Sequence, residues 1–224
     1  MDITTTSSAL FKLLQLSSVS LPVGGYSFSQ SLEYAIESGS INDAEQTKAW
    51  LQTQLFESIA RVDLPVLFGV MNSDVDDVEN WRRWNDISMA NRETKELRLT
   101  ESAMGEALKR LLTSFAVPVP EVVDNQYSFV ALYGLAANYW SLEAQLTAHG
   151  LVWSWLENQI SAATKLVPLG QSQAQQLLLE LPSSLAPAIE LAQTLDEDSM
   201  GGSLPLLAIY SSHHETQYSR LFRS

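Results

Sequence analysis

Cysteine is absent from this chain of 224 residues. That excludes a disulfide scaffold, thiolate metal sites and cysteine nucleophiles. A cytoplasmic location is the matching expectation. No stretch approaches the ~20 apolar residues that span a bilayer. The opening MDITTTSSALFKLLQLSS does not read as a signal peptide, because Asp2 stands where positive charge belongs and Lys12 interrupts a short apolar run. The chain is therefore expected neither to be exported by that route nor to enter a membrane. Positive charge is scarce too: 13 Lys/Arg face 26 Asp/Glu, a net charge of -13. A phosphate backbone is repelled by such a field, so nucleic acid is not an expected partner. Alternating β-branched runs are almost missing, which argues against sheets.

What is present suffices for a core. Hydrophobic residues make up 46% of the chain and charged ones 17%, a balance that excludes disorder. Apolar residues recur at helical spacing, punctuated by glycine and proline. Short helices are predicted over 8–16 and from about Ser29 to Glu37. Asn42 caps a helix carrying Trp50, Leu51, Leu55 and Ile59, with Glu45 at capping-box spacing. Asp63-Leu64-Pro65 starts the next, which ends near Asn72. Residues 78–112 form one long helix or two in series, broken around Met89–Asn91. Further helices follow over 121–139, 142–166, 173–181 and 184–195, with a last element from about Leu204. Gly150 inside the 142–166 helix marks tight packing or a kink. The expected fold is all-α, a single compact domain of about ten helices over 1–224.

Chemistry is sparse. Histidine occurs three times. His213 and His214 are adjacent, so a helix turns them to different faces, and no HExxH spacing occurs. Contact of a surface histidine with a partner is a more economical expectation than a metal site, although imidazole suits nickel and zinc. No GxSxG elbow is present. The run 21-LPVGGYS-27 lacks the lysine of a phosphate-binding loop. It reads as a tight turn, or as a partner-facing loop flanked by Tyr26 and Phe28. Arg92 and Arg98 in 91-NRETKE-96 either lie on a solvated face or organise buried carboxylates. Residues 111–224 hold only Lys165, Arg220 and Arg223 against 10 acids. The closing 215-ETQYSRLFRS-224 thus places basic and aromatic residues on an acidic body. Tyrosine and arginine are common in interface hot spots. The segment is a frayed terminus, a tail packed on its own domain, or a segment ordered by a partner.

Four blocks carry a resemblance to a known family: 21-LPVGGYSFSQSLE-33, 91-NRETKELRL-99, 157-ENQISAA-163 with 165-KLVPLGQSQAQQLLL-179, and 213-HHETQYSRLFRS-224. The chain resembles the urease accessory protein F (UreF) family from about Leu13 onward. Ala174 and Ser31 stand where many members carry glycine, both small-for-small changes. The resemblance implies an all-α homodimer of the cytoplasm with no catalytic residue, metal ligand or cofactor of its own. It implies an adaptor that bridges a UreD/UreH-type scaffold and the GTPase UreG, for nickel insertion into apo-urease. The alternative it implies is a GTPase-activating or fidelity factor, for which Arg92, Arg98, Arg220 and Arg223 are the candidates to supply charge in trans. Carried over residue by residue, Glu215, Thr216, Gln217, Tyr218, Ser219, Arg220, Leu221, Phe222 and Arg223 become ordered against the scaffold. Within 213–224 they form the partner-binding tail. Pro22, Gly24, Gly25 and Tyr26 belong to the family core or its recruiting surface.

Overall fold

The structure is a computed structural model and describes residues 7–223. Residues 1–6 and 224, the two ends of the expected domain and tail, lie outside the described residues. Among the described residues there are eleven α-helices and no strand, so the chain is all-α as the periodicity predicts. They are α1 (Ser7–Leu16), α2 (Leu32–Glu37), α3 (Ala44–Gln54), α4 (Leu64–Met71), α5 (Val78–Ala90), α6 (Lys95–Ser114), α7 (Phe129–Tyr139), α8 (Ala144–Leu166), α9 (Gln171–Glu180), α10 (Leu185–Thr194) and α11 (Pro205–Glu215). No helix among them is long and apolar enough to cross a membrane.

The hub is α7. Its residues from Phe129 to Ala137 are all buried. Small side chains, Ala131, Gly134, Ala136 and Ala137, let α4, α5, α6 and α8 pack closely around it. The Trp81 indole N–H donates to the Ala131 carbonyl at 3.1 Å, so even the tryptophan buried there keeps its polar edge satisfied. Gly150 of α8 reflects packing rather than a kink. A Cβ there would lie 2.3 Å from the Ser17 Oγ at the end of α1.

Several boundaries differ from the sequence expectation, each for a local reason. The cap of α3 is Asp43 and not Asn42: the Asp43 carboxylate accepts the Gln46 N–H at 2.8 Å. Gln46 in turn accepts the Asn42 N–H, so the reciprocal box is shifted by one residue. Helix α2 begins only at Leu32, because Gln30 and Ser31 have φ of 50° and 71°. That left-handed backbone at Ser31 is the physical reason glycine suits the position. Helix α7 begins at Phe129 rather than 121, since Asp124 and Asn125 are also left-handed, with Ser128 as its cap. The break between α5 and α6 falls at 91–94, where Thr94 caps α6.

Pro65 does not open a new helix. Residues 44–71 run as one rod whose middle, Leu55–Asp63, has π-helical hydrogen bonding. Proline has no N–H to offer the carbonyl four residues back, that of Arg61. The Gly201 N–H donates to that carbonyl instead, at 2.8 Å. The loop before α11 is thereby fastened to the rod, and α11 is delivered against α2 and α6.

Candidate functional site

The glycine run forms a turn that a side chain at Gly24 would strain. Gly24 has φ of 75°, and residues 25–27 follow as a single 3-10 turn. Pro22 and Tyr26 are exposed at its surface, while Leu21, Val23 and Phe28 are buried beneath. Helix α11 is pinned nearby. The Ser31 hydroxyl donates to the Leu207 carbonyl at 3.1 Å, and Ser211 and Thr94 share a hydrogen bond of 2.7 Å.

The chain then leaves α11 and turns back over this turn. Leu221 N–H donates to Glu33 Oε1 at 2.6 Å and Phe222 N–H to Glu33 Oε2 at 2.9 Å. Arg223 N–H donates to the Ser27 carbonyl at 2.8 Å. The Phe222 ring is buried, with the Lys165 ammonium 5.4 Å from its centroid. The tail packs on its own domain and is not frayed. The closing segment thus meets the end of the glycine turn at Ser27, from opposite ends of the sequence. Tyr26, Tyr218 and Leu221 are exposed, as are Glu215, Thr216, Ser219, Arg220 and Arg223. Gln217 is half-buried.

His214 corrects the sequence reading: it is not a surface residue but wholly buried. Its Nε2 lies 3.0 Å from Glu33 Oε2 and its Nδ1 2.8 Å from Glu96 Oε1. An ionised carboxylate only accepts, so this geometry suits an imidazolium with both ring nitrogens protonated. Arg220 Nη1 joins at 3.3 Å from Glu96 Oε1. Two acids and two bases balance in this cluster. Burial opposes the charged ring, but the hydrogen bonds and charges of Glu96 and Glu33 prevail, and the His214 pKa is raised. Such a group lends stability that is complete below its unfolded value, about 6.5, and fades as pH rises through the folded value. The melting temperature is therefore expected to fall on alkalinisation, and His214→Gln to flatten that slope. Equal slopes in both proteins would show that another group titrates. His213, in contrast, is exposed and stacks on Tyr34 with centroids 5.0 Å apart.

A second charged cluster is slightly less buried. Arg92 bridges Asp63 at 2.6 Å and Glu101 at 3.0 Å, all three nearly buried. Glu101 Oε1 also accepts the Ser128 hydroxyl at 2.7 Å and the Val130 N–H at 3.1 Å. Burial pushes the Asp63 carboxyl up against the pull of Arg92, and Glu101 adds repulsion. The two arginines of 91-NRETKE-96 and its extension thus part company. Arg92 organises carboxylates, whereas Arg98 stays on the surface, where it donates to the Arg92 carbonyl at 3.4 Å. Arg92 is held inside and is no candidate for charge supplied in trans. A cavity of about 110 Å³ adjoins this cluster, lined by Gly25, Asp63, Arg92, Glu101 and Leu207 among others.

Glu33 and Glu96 escaped the sequence reading altogether. The one available signal was His214, which repeats at helical spacing after Leu207 and Ser211 and so shares their buried face. Among the described residues, no group of three His, Asp or Glu side chains is arranged to hold a metal ion.

Comparison with known proteins agrees across the chain. The family model UreF matches residues 41–182. A urease accessory protein UreF of Marinomonas sp. (strain MWYL1) is 51% identical over 224 residues, covering 100% of this chain and 97% of that protein. Proteins of the same name from Alkalilimnicola ehrlichii and Pseudomonas putida (strain W619) are each 44% identical over 219 residues. The alignments cover 95% of this chain and 95% of the first, and 96% of this chain and 98% of the second.

Proposed function

The chain belongs to the UreF family of urease accessory proteins, and from that premise we propose that it is a non-catalytic adaptor in urease maturation. In this reading it bridges a UreD/UreH-type scaffold and the GTPase UreG while nickel is inserted into apo-urease. Nickel is cargo of the assembly, not a ligand of this chain. The adaptor works as a homodimer in the cytoplasm.

One observation carries the reading. The C-terminal segment folds onto the glycine turn with Tyr218 and Leu221 turned outward, flanked by Arg220 and Arg223, on a protein of net charge -13. Exposed aromatic and aliphatic side chains beside arginines are the make-up of an interface centre. A chain ending at Gln217 keeps α11 and His214 whole and removes that face. It is expected to lose co-purification with the UreD/UreH-type scaffold. Tyr218→Ala and Leu221→Ala are each expected to weaken the complex about tenfold or more, with the fold unchanged. Equal scaffold binding by the shortened and full chains would sink the assignment.

A further inference from the structure

Glu33 holds the C-terminal segment by its main chain. Two successive N–H groups, of Leu221 and Phe222, enter the two oxygens of one carboxylate. A third N–H, of Arg223, goes to the Ser27 carbonyl. Side chains alternate along this stretch: Leu221 is 63% exposed, Phe222 6%, and Arg223 is exposed again. A slip of one residue would turn the Phe222 ring to water and carry Leu221 inward. The carboxylate is itself immobilised. Its Oε2 is held by the His214 ring, and that ring is held from the other side by Glu96. Glu96 also receives Arg220, so the segment is gripped by side chain one residue before it is gripped by backbone.

We propose that Glu33 is a positioning residue for partner binding: it fixes the register of residues 220–223, and a partner protein reads the outward face already set. That partner needs an apolar recess for Tyr218 and Leu221 and an acidic side chain to meet Arg223. The inference rests on the docking role proposed above. A segment held in its bound register binds without the ordering that a loose tail requires. Glu33 therefore acts through the segment and contacts no partner itself.

The test uses full-length protein carrying Glu33→Gln. The amide keeps the size of the side chain but puts an NH2 where one main-chain N–H must be accepted. After Lys165 the only trypsin sites are Arg220 and Arg223, so release of the last few residues reports the segment alone. Cleavage at Arg220 is expected to quicken about tenfold, and affinity for the purified UreD/UreH-type scaffold to fall about tenfold, as for one lost charge-assisted hydrogen bond. Unchanged cleavage overturns the anchor. Faster cleavage with undiminished affinity overturns the claim that the partner reads a preset face. If Glu33→Gln fails to fold, Glu33→Asp replaces it, since this keeps the charge beside His214 and draws the carboxylate back from the Leu221 and Phe222 N–H groups. The chain ending at Gln217 separates the two readings. If it binds the scaffold normally, the docking role fails, while the cleavage rate still judges the anchor in isolation.

Discussion

Replacing Arg92 with methionine is expected to destabilise the protein by about 3–5 kcal/mol, the usual consequence of leaving buried partners of an ion pair uncompensated. Asp63, Arg92 and Glu101 have only 14%, 13% and 10% of their side-chain surface exposed. Asp63 is already pushed toward its neutral form by burial, and loss of Arg92 pushes it further. An acid whose folded pKa is raised gains stability as pH falls, so the deficit should narrow on acidification. Neutralising all three, with Arg92→Met, Asp63→Asn and Glu101→Gln together, should recover most of the loss. Denaturant unfolding at constant slope measures each difference. A loss below about 1 kcal/mol for Arg92→Met would mean the cluster is wetter than its geometry indicates.

Gly105→Ala is expected to be nearly as damaging, although alanine favours helix by about 1 kcal/mol. Its Cβ would lie 1.9 Å from the Tyr127 carbonyl oxygen and 3.1 Å from the Phe129 nitrogen. Both are main-chain atoms, with no flexible end to swing aside. Helix α6 would have to withdraw from the segment that opens α7. That withdrawal would also pull Glu101 from Ser128 and Val130. A net loss of about 3 kcal/mol, the upper end of overpacking, is expected in thermal or chemical unfolding. Gly170→Ala makes the control, because its Cβ would meet nothing closer than 3.6 Å. Similar stabilities for the two variants would refute the tight approach of α6 to residues 127–129.

Much of the fold was legible because local physics writes itself into local sequence. Leu51, Leu55 and Ile59 are a buried stripe in fact as in pattern. The break before α6 falls where Asn91 to Thr94 supply capping chemistry. The π-helical stretch was not legible, because a change of hydrogen-bonding partner leaves no mark on side-chain spacing. Left-handed residues such as Gln30 and Asp124 were missed for a related reason: no glycine announces them. At the site, Tyr218, Leu221 and the arginines were visible as residue types. Glu33 was not, since its meaning depends on two amides nearly the whole chain away. Arg92 was ambiguous until Asp63 and Glu101, from two other points along the chain, closed around it. Composition proposes such residues, and only tertiary contact assigns them.

Because Glu33 holds the C-terminal segment by amide hydrogens, the grip is indifferent to the outward side chains. Proline at 221 or 222 is barred, and a large apolar ring is wanted at 222. The outward positions 218, 219 and 221 answer to the partner alone. A substitution there changes what the segment offers a partner without refitting its seat, which is set by Glu33, Glu96 and His214.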